Sequence, residues 1–277
     1  AEDLINAFKD PNVKAIISAI GGDDSIRMLP YIDFDAIRDN PKIYMGYSDS
    51  TISHFICLKA GLRSYYGPSI MAGFSENGGL ISFMENSVKK TLFTNKIIGK
   101  LENKDGFVLK QHSWGKNELL DVKRDLLPLP AQQIINGTVD VKGRLIGGCL
   151  ESLEFLKGTD LWNADYFKGS ILFIETSEDM PSSEMVTNWM RNYAASGILK
   201  NIVGILVGRP QSDDMDYING QYKSILKVVR DEEKLDIPIL VNCDFGHTDP
   251  QMIMPYGSMV EINTQKQNFS ILESGVS

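Results

Sequence analysis

Residues 42–50 read KIYMGYSDS. An apolar, β-favouring run ends in Gly46-Tyr47-Ser48, and polar residues that open helices follow at once. This spells a buried strand that turns sharply into a helix, which runs from Ser48 to about Lys59 and closes at Ala60 and Gly61. Upstream, VKAIISAI at 13–20 is a nearly continuous apolar run, as expected of a strand buried on both faces of a parallel sheet. Gly21 and Gly22 end it. Helical stretches at 2–9, 26–29 and 34–38 lie between these strands, and 63–66 reads as a third strand. Alternation of strand and helix over the first 70 residues predicts a parallel sheet with helices on its faces.

The pattern changes after residue 75. A helical stretch at 80–93 gives way to polar, alternating sequence at 96–112 and a proline-rich piece at 126–130. The second half restarts with GRLIGG at 143–148 and a helix at 150–157. Buried strands are expected at 170–174, 202–207 and 237–241, with shorter ones at 252–254 and 259–262. Helices are expected at 182–196, with Gly197 as a cap, and at 221–231. The predicted architecture is α/β. A Rossmann-like parallel-sheet unit spans 1–75, a connecting segment spans 76–142, and an α+β, barrel-like unit spans 143–277.

Composition narrows the function. The 277 residues are 43% hydrophobic and 23% charged, ordinary for a globular protein with ample core. A net charge of −8 repels phosphate backbones, so nucleic acid is not an expected partner. Cys57, Cys149 and Cys243 are widely spaced and form no metal or redox pair, which fits free thiols in a reducing cytoplasm. The N-x-S/T triplets at Asn136 and Asn268 carry no meaning there. No apolar run approaches the ~20 residues that span a bilayer, and no signal peptide is visible. The chain opens without Met on an amphipathic helix, as if inside an α/β unit, so further residues are expected upstream.

A serine on a strand-to-helix turn presents its hydroxyl clear of the sheet, with the next N–H groups aimed at the same space. Ser48 is therefore a candidate nucleophile, and the Asp49 N–H a candidate oxyanion donor. The plainer reading, a helix N-cap, competes, and Ser50 stands where hydrolase elbows usually carry Gly. Serine needs a base. His54 lies roughly 9 Å along the same helix, too far for a direct hydrogen bond, and His112 sits in the polar middle segment. His247, in DFGHTDP at 244–250, follows a strand's carboxyl end, where ligands gather in open α/β sheets. Glu175 directly follows the strand SILFI and is the candidate to orient His247. Glu151, Glu178, Asp179 and Asp249 compete for that role. One N–H of the Gly21-Gly22 turn is a second candidate oxyanion donor.

These blocks occur in a telling order: GGDDSIRMLP at 21–30, GYSD at 46–49, YGP at 66–68, GRLIGG at 143–148, GT at 158–159, FIE at 173–175, GH at 246–247 and PYG at 255–257. The chain resembles the LD-carboxypeptidase and microcin C immunity family of serine peptidases over nearly its whole length. That resemblance implies a triad of Ser48, Glu175 and His247, an oxyanion hole from the Gly22 and Asp49 N–H groups, and an active site between two units. It also implies a homodimer and no metal or organic cofactor. Arg27, within the first block, is a candidate substrate contact. Three features depart from the family: a further strand and helix is expected before residue 1, Cys149 stands where Asn is common, and 126 residues separate Ser48 from Glu175. That long span is similar to the immunity branch, whose loop carries an aromatic that stacks on a nucleobase. Trp114 is the candidate here, with stacking worth ~1–3 kcal/mol.

The expected activity is cleavage of the amide between a carboxyl-terminal aspartyl unit and a nucleotide-like group. The alternative is an L,D-carboxypeptidase that releases terminal D-Ala from a murein tetrapeptide. A two-domain binding protein without catalysis is the rival from another class. Either enzyme would take a small peptide or peptide-nucleotide substrate and work in the cytoplasm, away from membranes.

Overall fold

A computed structural model describes residues 1–109, 112 and 115–277. Eleven strands are found among them: β1 (Ala15–Ile17), β2 (Ile43–Gly46), β3 (Tyr65–Tyr66), β4 (Gln133–Asn136), β5 (Val141–Cys149), β6 (Ser170–Glu175), β7 (Gly204–Gly208), β8 (Ile239–Cys243), β9 (Met254–Pro255), β10 (Met259–Asn263) and β11 (Asn268–Ile271). The α-helices are α1 (Glu2–Lys9), α2 (Phe34–Asp39), α3 (Thr51–Lys59), α4 (Ser82–Leu92), α5 (Leu150–Phe155), α6 (Ser183–Ala195), α7 (Ile198–Asn201) and α8 (Met215–Leu226).

The first sheet has the order β1-β2-β3-β9, with its first three strands parallel. The second has the order β11-β10-β5-β6-β7-β8-β4. Its centre, β5 to β8, is parallel, and both flanks are antiparallel. The Ile134 N–H on β4 donates to the Gln267 side chain in the turn before β11 at 3.2 Å, so the two flanks curl towards each other. The sheet is thus barrel-like in curvature while keeping two edges.

Local chemistry explains the elements. Every residue of β6 is buried, as its unbroken apolar run requires. Asp33, Ser182 and Asp214 cap α2, α6 and α8 through their side chains. The Asp214 cap starts α8 six residues earlier than the hydrophobic pattern alone indicates, and the helix continues as a wider π turn over Lys227–Glu232. Gly197 follows α6 in the left-handed conformation at φ +79°. The segments do not divide cleanly between the sheets. β4, inside the connecting segment, joins the second sheet, and β5 begins at Val141. β9, from the last quarter of the chain, pairs with β3 and closes the first sheet.

Helix α3 is buried at every position from Thr51 to Cys57 and packs against β5 and α5. It links the two sheets. The Thr51 hydroxyl donates to the Ser48 carbonyl at 2.7 Å and accepts from the Cys149 N–H at 3.1 Å. One side chain therefore ties the end of β2 to the end of β5. No helix among the described residues is long and apolar enough to cross a membrane.

Candidate active site

The turn from β2 into α3 is tight. Ser48 sits at φ +60°, rare for a residue with a Cβ and costing on the order of 1–3 kcal/mol. Two hydrogen bonds hold it: the Ser48 N–H donates to the Tyr66 hydroxyl at 3.1 Å, and Thr51 binds its carbonyl. Gly21 presses against the same residue. A methyl group there would lie 2.9 Å from both Cβ and Oγ of Ser48, closer than real Cβ contacts come. The Asp49 carboxylate accepts from the Ser25 N–H at 2.9 Å and the Ser25 hydroxyl at 2.6 Å. It thereby staples the glycine turn to the elbow. The Asp49 and Gly22 N–H groups make no hydrogen bond among the described residues.

His247 meets Ser48 from the second sheet. Its Nε2 lies 3.2 Å from Ser48 Oγ, and its Nδ1 lies 2.7 Å from Glu175 Oε2. The other Glu175 oxygen accepts from the Tyr66 hydroxyl. Tyr66 thus joins the Ser48 backbone to the carboxylate behind His247. The Tyr47 ring packs edge-on against the imidazole, with centroids 4.9 Å apart. Gly246, at φ +97°, brings the loop so close that a methyl group there would meet Glu175 Oε2 at 2.7 Å. Burial pulls the His247 pKa down. The charge and hydrogen bond of Glu175, with the charges of Glu178 and Glu151, outweigh it and leave the pKa above the usual 6.5.

The other candidates separate by their partners. Asp249 is buried against Arg124, which also pairs with Glu76. Glu151 accepts from the Ser177 N–H and hydroxyl at 2.9 and 2.7 Å, and from the Cys149 thiol at 3.3 Å. Glu178 approaches His247 Nε2 to 3.2 Å with a side chain 68% exposed, and Asp179 is exposed. His54 is fully buried, bonded to Ser64 at 2.8 Å and to the Gly46 carbonyl at 2.9 Å. Burial lowers its pKa to about 4, so it is neutral and donates to Gly46. His112 is half-buried. Arg27 does not reach the cleft. It stands outward on the short 3₁₀ turn Ser25–Tyr31, pairs with Asp24 at 3.1 Å, and its side chain is 79% exposed. Trp114 lies outside the described residues.

A cleft of about 620 Å³ opens over Ser48 and His247, with Gly22, Cys149 and Glu151 among its walls. Cys149, Glu175 and His247 could each offer one metal-ligand atom, all within 4.8 Å. A cation there would compete with the bond between Glu175 and His247. It would also compete with the proton of a thiol whose pKa is held well above 9 by burial and by the Glu175 and Glu151 charges. The role of Tyr66 escapes sequence reading. Tyr66 stands in a strand of two residues, and its placement behind Glu175 depends on contacts between the sheets.

Two family models match the chain: LD-carboxypeptidase N-terminal domain over residues 1–67, and LD-carboxypeptidase C-terminal domain over 142–262. The microcin C7 self-immunity protein MccF of Escherichia coli is 30% identical over 281 residues, which cover 100% of this chain and 79% of that protein. A solved structure of MccF in complex with aspartyl sulfamoyl adenosine superposes with a TM-score of 0.83 at 28% identity, covering 100% of this chain and 81% of that one. An MccF-like protein from Streptococcus pneumoniae, in complex with AMP, superposes with a TM-score of 0.86 at 27% identity, covering 99% and 83%.

Proposed function

The chain belongs to the LD-carboxypeptidase family of serine hydrolases, and from that premise we propose that Ser48, His247 and Glu175 hydrolyse the bond between a carboxyl-terminal aminoacyl unit and a nucleotide-like group. The observation that carries this reading is the continuous line of contacts from Ser48 Oγ through both nitrogens of His247 to Glu175. The relative bound to an aspartyl nucleoside supports the substrate class.

In the proposed reaction His247 Nε2 takes the Ser48 proton, and Oγ attacks the acyl carbon. The Asp49 and Gly22 N–H groups, free of other partners, receive the oxyanion; such donors are worth roughly 3–4 kcal/mol each. His247 then passes its proton to the leaving nitrogen, and the amine departs. Water, deprotonated by the same nitrogen, hydrolyses the acyl ester and regenerates Ser48. Glu175 keeps Nδ1 protonated and the ring in place, and Tyr66 and Gly246 hold Glu175. Trp114 is proposed to stack on the base of the leaving group. Three buried thiols support a reducing, cytoplasmic setting, and the family resemblance supports a homodimer.

The test is mass spectrometry of two substrates incubated with the protein: a murein tetrapeptide, and an aminoacyl-sulfamoyl adenosine. Release of the amino acid from the nucleoside, lost by about 10⁴-fold or more in Ser48→Ala, is the expected result. Loss of D-Ala from the tetrapeptide alone would replace the proposed substrate by a cell-wall one. Turnover that survives Ser48→Ala in a pure sample would remove Ser48 from its role.

A further inference from the structure

Among the described residues, the acidic and basic side chains that line the cleft are of one sign, His247 aside. Asp23, Glu151, Glu178 and Asp179 line it, and no Lys or Arg does among the described residues. Nor does any of these four carboxylates have a Lys or Arg partner among them. Three stand on two adjacent strand ends: Glu151 just past β5, Glu178 and Asp179 just past β6. Asp23 faces from the glycine turn that flanks Ser48. Glu178 adds a separate observation. Its Oε2 is 3.2 Å from His247 Nε2, the same nitrogen that faces Ser48 Oγ at 3.2 Å. An exposed carboxylate therefore already touches the reacting group, beside the space that an acyl unit on Ser48 would fill.

We infer that the cleft selects an acyl unit with a basic side chain, read by Glu178 and Asp179. This rests on the hydrolase reading for the bond and the nucleophile, and it replaces the aspartyl acyl unit expected from the family resemblance by a basic one. One-signed walls around a concave, partly desolvated space focus the field and concentrate the opposite charge. An acidic acyl side chain beside Glu178 and Asp179 would meet like charge and lose hydration without gaining a counter-ion there. A basic one gains a counter-ion. It also draws Glu178 away from Nε2, which leaves that nitrogen to Ser48 alone.

The experiment uses lysyl-, norleucyl- and glutamyl-sulfamoyl adenosine, which share the nucleoside and differ in side-chain charge. Binding to Ser48→Ala protein is measured by calorimetry, so that the result does not depend on turnover; hydrolysis by the unaltered protein is followed in parallel. The lysyl compound is expected to bind about tenfold tighter than the norleucyl one, the discrimination that ~1.4 kcal/mol supplies, with the glutamyl compound weakest. Added salt should narrow the gap. Glu178→Gln should reduce the lysyl preference, and Asp179→Lys should raise glutamyl binding relative to lysyl. Equal binding of the three, or tightest binding of the glutamyl compound, overturns the inference even where all are hydrolysed. Lysyl preference in binding without hydrolysis of any compound would leave the charge reading standing and remove the hydrolase reading of this bond.

Discussion

A base that works by accepting a proton must be neutral, and the His247 environment sets when that happens. Its folded pKa lies above 6.5 because the carboxylates around it outweigh its burial. A raised pKa means that the imidazolium persists to higher pH, so activity is lost as pH falls through that folded value. The kcat/KM profile should therefore show an acid limb centred above the usual histidine value. Glu178→Gln removes one of the raising charges and should move the limb down; a limb that stays fixed would detach Glu178 from His247. Tyr66 acts through two contacts. Tyr66→Phe leaves the Ser48 N–H without its acceptor and one Glu175 oxygen without its donor. An unsatisfied buried group costs ~1–3 kcal/mol. If that cost falls on the alignment of Ser48 with His247, kcat drops by roughly tenfold or more while KM holds. A kcat within a factor of about two of the unaltered protein would show that the elbow keeps its shape without Tyr66.

Each partner in the site sits at the end of a strand, and this is why much of it is legible in the sequence. KIYMGYS and SILFIE each join an apolar run to a single reactive residue, and their short length with β-branched and aromatic residues reads as buried strand. Ser48 and Glu175 are readable for that reason. His247 is readable by elimination among three histidines and by its place past β8. What the sequence does not reveal is what holds that loop. Arg209, two per cent exposed just past β7, donates to Asp244 at 2.5 Å and to Thr248 at 3.2 Å. An arginine after an apolar strand reads as a surface residue, and only the fold puts it beneath the His247 loop. The short strands β4 and β11 are hidden for a similar reason. Four residues of mixed polarity acquire strand geometry only from the neighbours they pair with. Arg209→Met should cost about 3–5 kcal/mol, since it strands a buried carboxylate. Pairing it with Asp244→Asn should recover part of that loss in thermal melts. A melting temperature unchanged by Arg209→Met would mean that Asn103, which also donates to Asp244, suffices alone.

At the scale of the whole molecule the site exists only where two sheets meet, and the chain crosses between them more than once. The nucleophile and its glycine turn belong to the first sheet, the acid and base to the second. A shift of one sheet against the other by an ångström would open the 3.2 Å gap between Oγ and Nε2 beyond a hydrogen bond. Three ties resist that shift. Helix α3 packs between the sheets, β9 returns to pair with β3, and residues after β11 run back to the first sheet. In the last tie the Arg63 side chain donates to the Ser274 carbonyl at 2.8 Å and to the Glu273 carboxylate at 2.7 Å. The Tyr65 hydroxyl donates to the Gly275 carbonyl at 2.7 Å. Removing residues 273–277 deletes these hydrogen bonds and the packing of Val276 against the Tyr65 cluster, a loss of roughly 1–3 kcal/mol. For a chain of this size that lowers the melting temperature by several degrees. Because the lost bonds lie on the β3 strand whose other residue, Tyr66, supports Ser48 and Glu175, activity per folded molecule should fall along with stability. Activity that stays constant while the melting temperature drops would instead mean that α3 and β9 suffice to hold the two halves of the site in register.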